Sequence, residues 1–114
     1  MSTDMYPQST KEIAERRRAL APHSLNAFHE FSLQVFAEGT LSTKVKQLIA
    51  VAVAHTTKCP YCIRGHATAA LEVGASCEEV MEAIWVAAEM RAGAAYAHST
   101  VAVDAMQEFG KTQR

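Results

Sequence analysis

Leu48-Ile-Ala-Val-Ala-Val-Ala-His55-Thr-Thr-Lys-Cys59-Pro-Tyr-Cys62-Ile-Arg-Gly-His66 reads as a helix, a break and the start of a second helix. Before the break, Val45, Leu48, Ile49, Ala52 and Val53 follow the three-and-four spacing of a core-facing helix. Ala50 and Val51 widen that face, so burial on more than one side is expected. The helix should stop at about His55, because the β-branched Thr56 and Thr57 and the proline beyond discourage continuation. Pro60 has no backbone N–H and a fixed φ, which suits the first turn of a helix and little else. Cys59 is thereby placed at or next to the N-cap and Cys62 inside the first turn. His66 lies four residues after Cys62, one turn on and on the same face. A thiol in that turn meets unpaired N–H groups and the positive end of the helix dipole, and both favour thiolate. A histidine one turn away can accept or relay its proton, and the second thiol is within disulfide reach. These are the parts of a redox-active dithiol.

The rest of the chain narrows what that dithiol can serve. Its 114 residues suffice for one domain, spanning 1–114, and its 49% hydrophobic and 20% charged composition favours folding over disorder. The formal net charge is −1, which gives no basis for binding nucleic acid or an acidic membrane. Arg16-Arg17-Arg18 reads as a solvated helix face. The longest unbroken apolar run, Leu48 to Ala54, is far too short to span a bilayer. The N-terminal Met-Ser-Thr-Asp-Met-Tyr-Pro has no apolar segment of a signal peptide. A cytoplasmic location is expected, where a Cys-x-x-Cys is more often catalytic or metal-binding than a structural staple.

Glycine and proline are scarce and sit at element ends, and good helix formers fill the stretches between. The expected fold is all-α, a bundle of about six helices with the Cys-x-x-Cys at the N-terminus of a central one. Ser9 and Glu12 have capping-box spacing for the first helix. Pro22 opens the second, whose Leu25, Phe28, Phe31 and Val35 mark one buried face, with Phe36 beside it and Gly39 as the stop. Ser42 caps the third, and the fourth carries the motif and ends at Gly74. Ser76 and Glu79 form another capping box, and Val80, Ile84, Ala87 and Ala88 place a fifth helix against the core. Gly93 is expected to separate it from a sixth, with Val101, Ala105 and Phe109 as its seam. So many short helices leave apolar faces that a small protomer cannot cover, and self-association is the natural remedy.

Three blocks together resemble the carboxymuconolactone decarboxylase family, and most closely its alkyl hydroperoxidase (AhpD-like) branch. They are Leu48-Ile-Ala-Val-Ala-Val-Ala, Cys59-Pro-Tyr-Cys62-Ile-Arg-Gly-His66 and the segment from Gly74-Ala-Ser to Ile84. The resemblance implies an all-α fold assembled as a homotrimer or homohexamer. It implies that Cys62 attacks a hydroperoxide and that Cys59 resolves the product as a disulfide. His66 would belong to a proton relay with a glutamate on the preceding helix, and a dithiol partner such as a dihydrolipoyl protein would restore the thiols. The family glutamate falls on Gln47. A glutamine can orient His66 by hydrogen bonding but cannot take up a proton at neutral pH. His55, one turn before Cys59, is then a candidate for part of the relay, or else it caps carbonyls at the end of its own helix.

No resident cofactor or metal is expected. A structural zinc site needs four ligands, and Cys59, Cys62 and His66 with Cys77 or His55 would have to supply them. Residues 55–66 would stretch about 16 Å as one helix, too far to close on one ion, and there is no second Cys-x-x-Cys. Cys77 reads as a spare thiol, and Tyr61 as either a cleft-mouth or an interface residue. Two other functions stay open. One is lactone decarboxylation of the kind that names the family, which needs no thiol pair. The other is a non-catalytic oligomeric sensor or scaffold that records redox state.

Overall fold

The computed structural model describes residues 5–113, which form five α-helices. They are α1 (Lys11–Leu20), α2 (Pro22–Phe36), α3 (Thr43–Thr57), α4 (Pro60–Glu72) and α5 (Cys77–Thr112). The all-α expectation holds, with five helices in place of six.

Local chemistry accounts for most of the boundaries. Thr10, not Ser9, caps α1, and its hydroxyl accepts the Ile13 N–H at 3.3 Å. Shifting the cap by one residue moves Glu12 out of register for the expected capping box. Pro22 occupies the first position of α2. That helix stops at Phe36, before Gly39, because Ala37 turns extended and side chains of α3 take its last carbonyls. Ser42 caps α3 by accepting the Val45 N–H at 3.1 Å. The helix then runs two residues past His55. Thr56 and Thr57 do not end it, since their hydroxyls donate back to the Val53 and Ala54 carbonyls. The break comes at Lys58, which takes the left-handed conformation with φ 58°.

Gly74, at φ +98°, closes α4 in the conformation that suits glycine. Ser76 and Glu79 make both halves of the capping box that opens α5. The expected break at Gly93 does not occur. A mid-helix glycine costs only about 1 kcal/mol relative to alanine, and the strong helix formers Ala87 to Ala95 on either side outweigh it. The expected fifth and sixth helices are therefore one element of 36 residues, about 54 Å long at 1.5 Å per residue.

The core is small and lies where α3, α4 and the first half of α5 meet. Val51, Ala70 and Ala75 are buried there, with Leu48, Ala67, Val80 and Ile84 packed around them. The buried edge of α3 is Val51 and Ala54, while Ile49 and Val53 stay about half exposed at 48% and 50%. The apolar stripe of α2 does not reach a core, and Phe28 and Phe31 lie on the surface. Beyond Arg91 every described residue of α5 except Gly93 is exposed. The radius of gyration is 20.4 Å, against about 13 Å for a compact domain of this length. The protomer does not close on itself.

Candidate active site

Cys59 is the N-cap of α4, Pro60 its first helical residue, and Cys62 its third. The Cys62 N–H donates to Cys59 Sγ at 3.2 Å, so the first sulfur does the work that a serine or threonine oxygen does at other helix starts. The two cysteines are joined as a disulfide, with Cα atoms 5.2 Å apart. Behind them, the Cys59 N–H donates to the Ala54 carbonyl and the Arg91 guanidinium to the Thr56 carbonyl, which ties the turn to α3 and α5.

A cleft of about 700 Å³ opens on one side of this pair. Its walls come from the end of α2 (Ser32, Leu33, Phe36, Ala37), from Gln47 of α3, and from Tyr61, Cys62, Gly65, His66 and Ala69 of α4. The structure thus brings together Cys62, His66 and Gln47 around one space. Cys59 is not among the residues that line it. Apolar groups make most of the wall, as is usual for small-molecule sites with a few placed polar atoms.

His66 Nδ1 lies 2.7 Å from Gln47 Oε1. An amide oxygen only accepts, so Nδ1 carries the proton of the neutral ring and Nε2 is left as the acceptor. The His66 ring stacks on Phe36 with centroids 5.2 Å apart and planes 24° from parallel. The sequence marks Phe36 only as a neighbour of an apolar stripe. No spacing signal links residues 36 and 66, so the stack is visible only in three dimensions.

His55 is not among the residues that line the cleft. Its Nδ1 sits 2.7 Å from the Val51 carbonyl one turn back on the same helix. Tyr61 lines the cleft, and its hydroxyl donates to the Pro7 carbonyl at 2.6 Å while its ring meets Tyr6 edge to face. Tyr6 and Pro7 are thereby anchored on one of the two residues between the cysteines. Cys77 is an exposed free thiol. Among the described residues, no three His, Cys, Asp or Glu side chains converge as metal ligands would. Away from the cleft, the Glu79 carboxyl is held below the usual carboxylate range, first by its hydrogen bond to Lys44 and then by the Ser76 N–H. No helix among the described residues is long and apolar enough to cross a membrane.

The carboxymuconolactone decarboxylase family model matches residues 22–105, from the start of α2 to deep in α5. The chain belongs to the carboxymuconolactone decarboxylase family. An uncharacterised protein of the cox locus of Paracoccus denitrificans is 53% identical over 109 residues, 96% of this chain and 97% of that protein. A carboxymuconolactone decarboxylase family protein from Legionella pneumophila has a solved structure with a TM-score of 0.66 and 30% identity, over 88% of this chain and 92% of that one. A family protein from Thermotoga maritima, for which a part in an antioxidative response has been suggested, matches with a TM-score of 0.57 and 27% identity. That match covers 79% of this chain and 93% of the Thermotoga chain.

Proposed function

We propose that this member of the family belongs to its AhpD-like branch and acts as a thiol-dependent peroxidase. The observation that carries this reading is the sharing of one cleft by Cys62 and His66, with Cys59 joined to Cys62 from outside it. The thiolate of Cys62 attacks one oxygen of a hydroperoxide, ROOH. The O–O bond breaks, Cys62 becomes a sulfenic acid, and the departing alkoxide leaves as ROH with a proton relayed by His66. The Cys59 sulfur then attacks the sulfenic sulfur, and the disulfide forms with loss of water. A dithiol such as a dihydrolipoyl group reduces that disulfide and is itself oxidised, which returns both thiols. The apolar walls contributed by Leu33, Phe36, Ala37 and Ala69 favour an organic hydroperoxide over hydrogen peroxide. The suggested antioxidative role of the Thermotoga relative supports the same reading.

The test is to expose reduced protein to one equivalent of cumene hydroperoxide and follow intact mass and free thiols. Fast loss of two hydrogens, mapping to Cys59–Cys62, is expected. Cys62→Ser should abolish peroxide consumption, and Cys59→Ser should trap the sulfenic acid. Wild-type turnover in both variants would end the proposal. Gln47 favours one second reading, since it cannot take up a proton. The protein would then be a redox sensor that is oxidised stoichiometrically and does not turn over with any dithiol donor.

Assembly into a homotrimer or homohexamer belongs to the same proposal. Trp85, Tyr96, Met106 and Phe109 of α5 are 66–82% exposed, and Phe28 and Phe31 of α2 are similar. So many large apolar side chains left exposed mark interaction surface, and symmetric pairing of identical chains is the common way to cover it.

A further inference from the structure

We propose that Phe36 is the residue that positions the His66 imidazole, and that Thr43 and Lys46 hold Phe36 in place. Only the expected effect on rate rests on the peroxidase reading. The bond from Nδ1 to Gln47 Oε1 fixes one edge of the ring and leaves it able to rock about that bond. The stack on Phe36, 5.2 Å between centroids, opposes the rocking. Two contacts from different helices thus set where Nε2 points; in the peroxidase reading, Nε2 meets the proton of the thiol or of the alcohol product.

Phe36 is the last residue of a helix that buries none of its own side chains. Its position depends on how the end of α2 is tied down. Thr43 Oγ1 donates to the Phe36 carbonyl at 2.8 Å, and Lys46 Nζ donates to the Ala37 carbonyl at 2.6 Å. The Thr43 N–H also donates to the Glu38 carboxylate, at 3.2 Å. Thr43, Lys46 and Gln47 all lie in the first turns of α3. One short stretch of helix therefore supplies His66 with its hydrogen-bond partner and fixes its stacking partner. The lysine and threonine look like ordinary helix-start residues in the sequence, and only their bonds to the end of α2 give them this second task.

The test compares wild type, Phe36→Leu, Phe36→Tyr and the double variant T43V/K46M, each reduced and labelled with ¹⁵N-histidine. His66→Gln assigns the resonance. In mildly alkaline buffer, wild type and Phe36→Tyr should show His66 as a single tautomer with the proton on Nδ1. In Phe36→Leu the two nitrogen shifts should average toward each other. Oxidation by cumene hydroperoxide should slow by roughly two- to tenfold, the scale of one lost aromatic contact, and tyrosine should restore it. A wild-type tautomer pattern and rate in Phe36→Leu would overturn the proposal. If circular dichroism shows that variant unfolded, T43V/K46M carries the test, and an unchanged His66 spectrum there overturns it equally. A wild-type protein inert to hydroperoxide would count against the peroxidase reading alone, since the tautomer comparison needs no turnover.

Discussion

Replacing Gln47 by leucine and by glutamate should move the rate of dithiol oxidation in opposite directions. In wild type the amide oxygen accepts the Nδ1 proton of a half-buried His66 at 2.7 Å. A neutral hydrogen bond of this kind contributes about 1 kcal/mol net. Leucine keeps the approximate volume and removes the acceptor, so the productive ring orientation loses about 1 kcal/mol, or roughly a fivefold slower reaction. Water can reach a half-buried ring, which keeps the loss at that scale and well short of the roughly hundredfold or more expected on removing a general base outright. Glutamate turns the same contact into a bond to a charged group, worth about 1.5–3 kcal/mol. The extra gain, about 1 kcal/mol, is realised when His66 takes up the proton, so the reaction should quicken by roughly fivefold. The measurement is stopped-flow oxidation of reduced protein by excess cumene hydroperoxide, read as loss of free thiols, with thermal melts to confirm that each variant folds. If both variants stay within about twofold of wild type, Gln47 and His66 do not act as a unit and the tautomer reasoning is wrong.

Gly93→Ala should stabilise the protein by up to about 1 kcal/mol, because the new Cβ meets only the flexible Glu89 carboxylate, at 3.4 Å; a fall in Tm would show that the glycine has a packing role. The Glu79 carboxyl titrates below the ordinary carboxylate range in the folded protein, so its contribution to stability is full above the ordinary value and is lost as pH falls through the depressed folded one. Glu79→Gln should accordingly flatten the acid side of a Tm-against-pH curve, and an unchanged slope would mean that the Lys44 pair is inert. Val101→Asp with Phe109→Asp should convert the proposed homo-oligomer to smaller species in light scattering coupled to size exclusion, and an unchanged mass would remove α5 from the interface.

Features governed by neighbours in the chain are legible in the sequence itself. Pro60 and Cys59 set the start of α4, Pro22 that of α2, and Ser76 with Glu79 that of α5, because capping is decided within four residues. Local signals mislead where a competing local term is larger. Gly93 is a weak helix former among strong ones, and Thr56 and Thr57 satisfy their helix through their hydroxyls. Periodicity also marks Phe28 and Phe31 as an apolar face, but it cannot say what covers such a face. In the cleft, Cys62 and His66 are legible because they share a helix at a separation of one turn. Gln47 lies 19 residues from His66, and only the family resemblance points to it. Phe36, Thr43 and Lys46 carry no such signal, because their roles arise when the end of α2 meets the start of α3. His55 lies outside the cleft lining, with its Nδ1 2.7 Å from the carbonyl of Val51.

The last turns of α5 bear on how the protein behaves on dilution. Residues 94–112 of α5 are all exposed, and most of the stability of a helix in a protein comes from packing of one face rather than from propensity. Among the described residues, nothing buries that segment beyond Gly93. In the proposed homo-oligomer its order is governed by mass action, rising with protomer concentration as neighbours become available. The compact end, where α3 and α4 hold the dithiol, has its own buried contacts and does not share this dependence. Lowering the concentration should thus bleed away part of the far-UV helical signal and speed amide exchange beyond Gly93, while the turn around Cys59 and Cys62 keeps its protection.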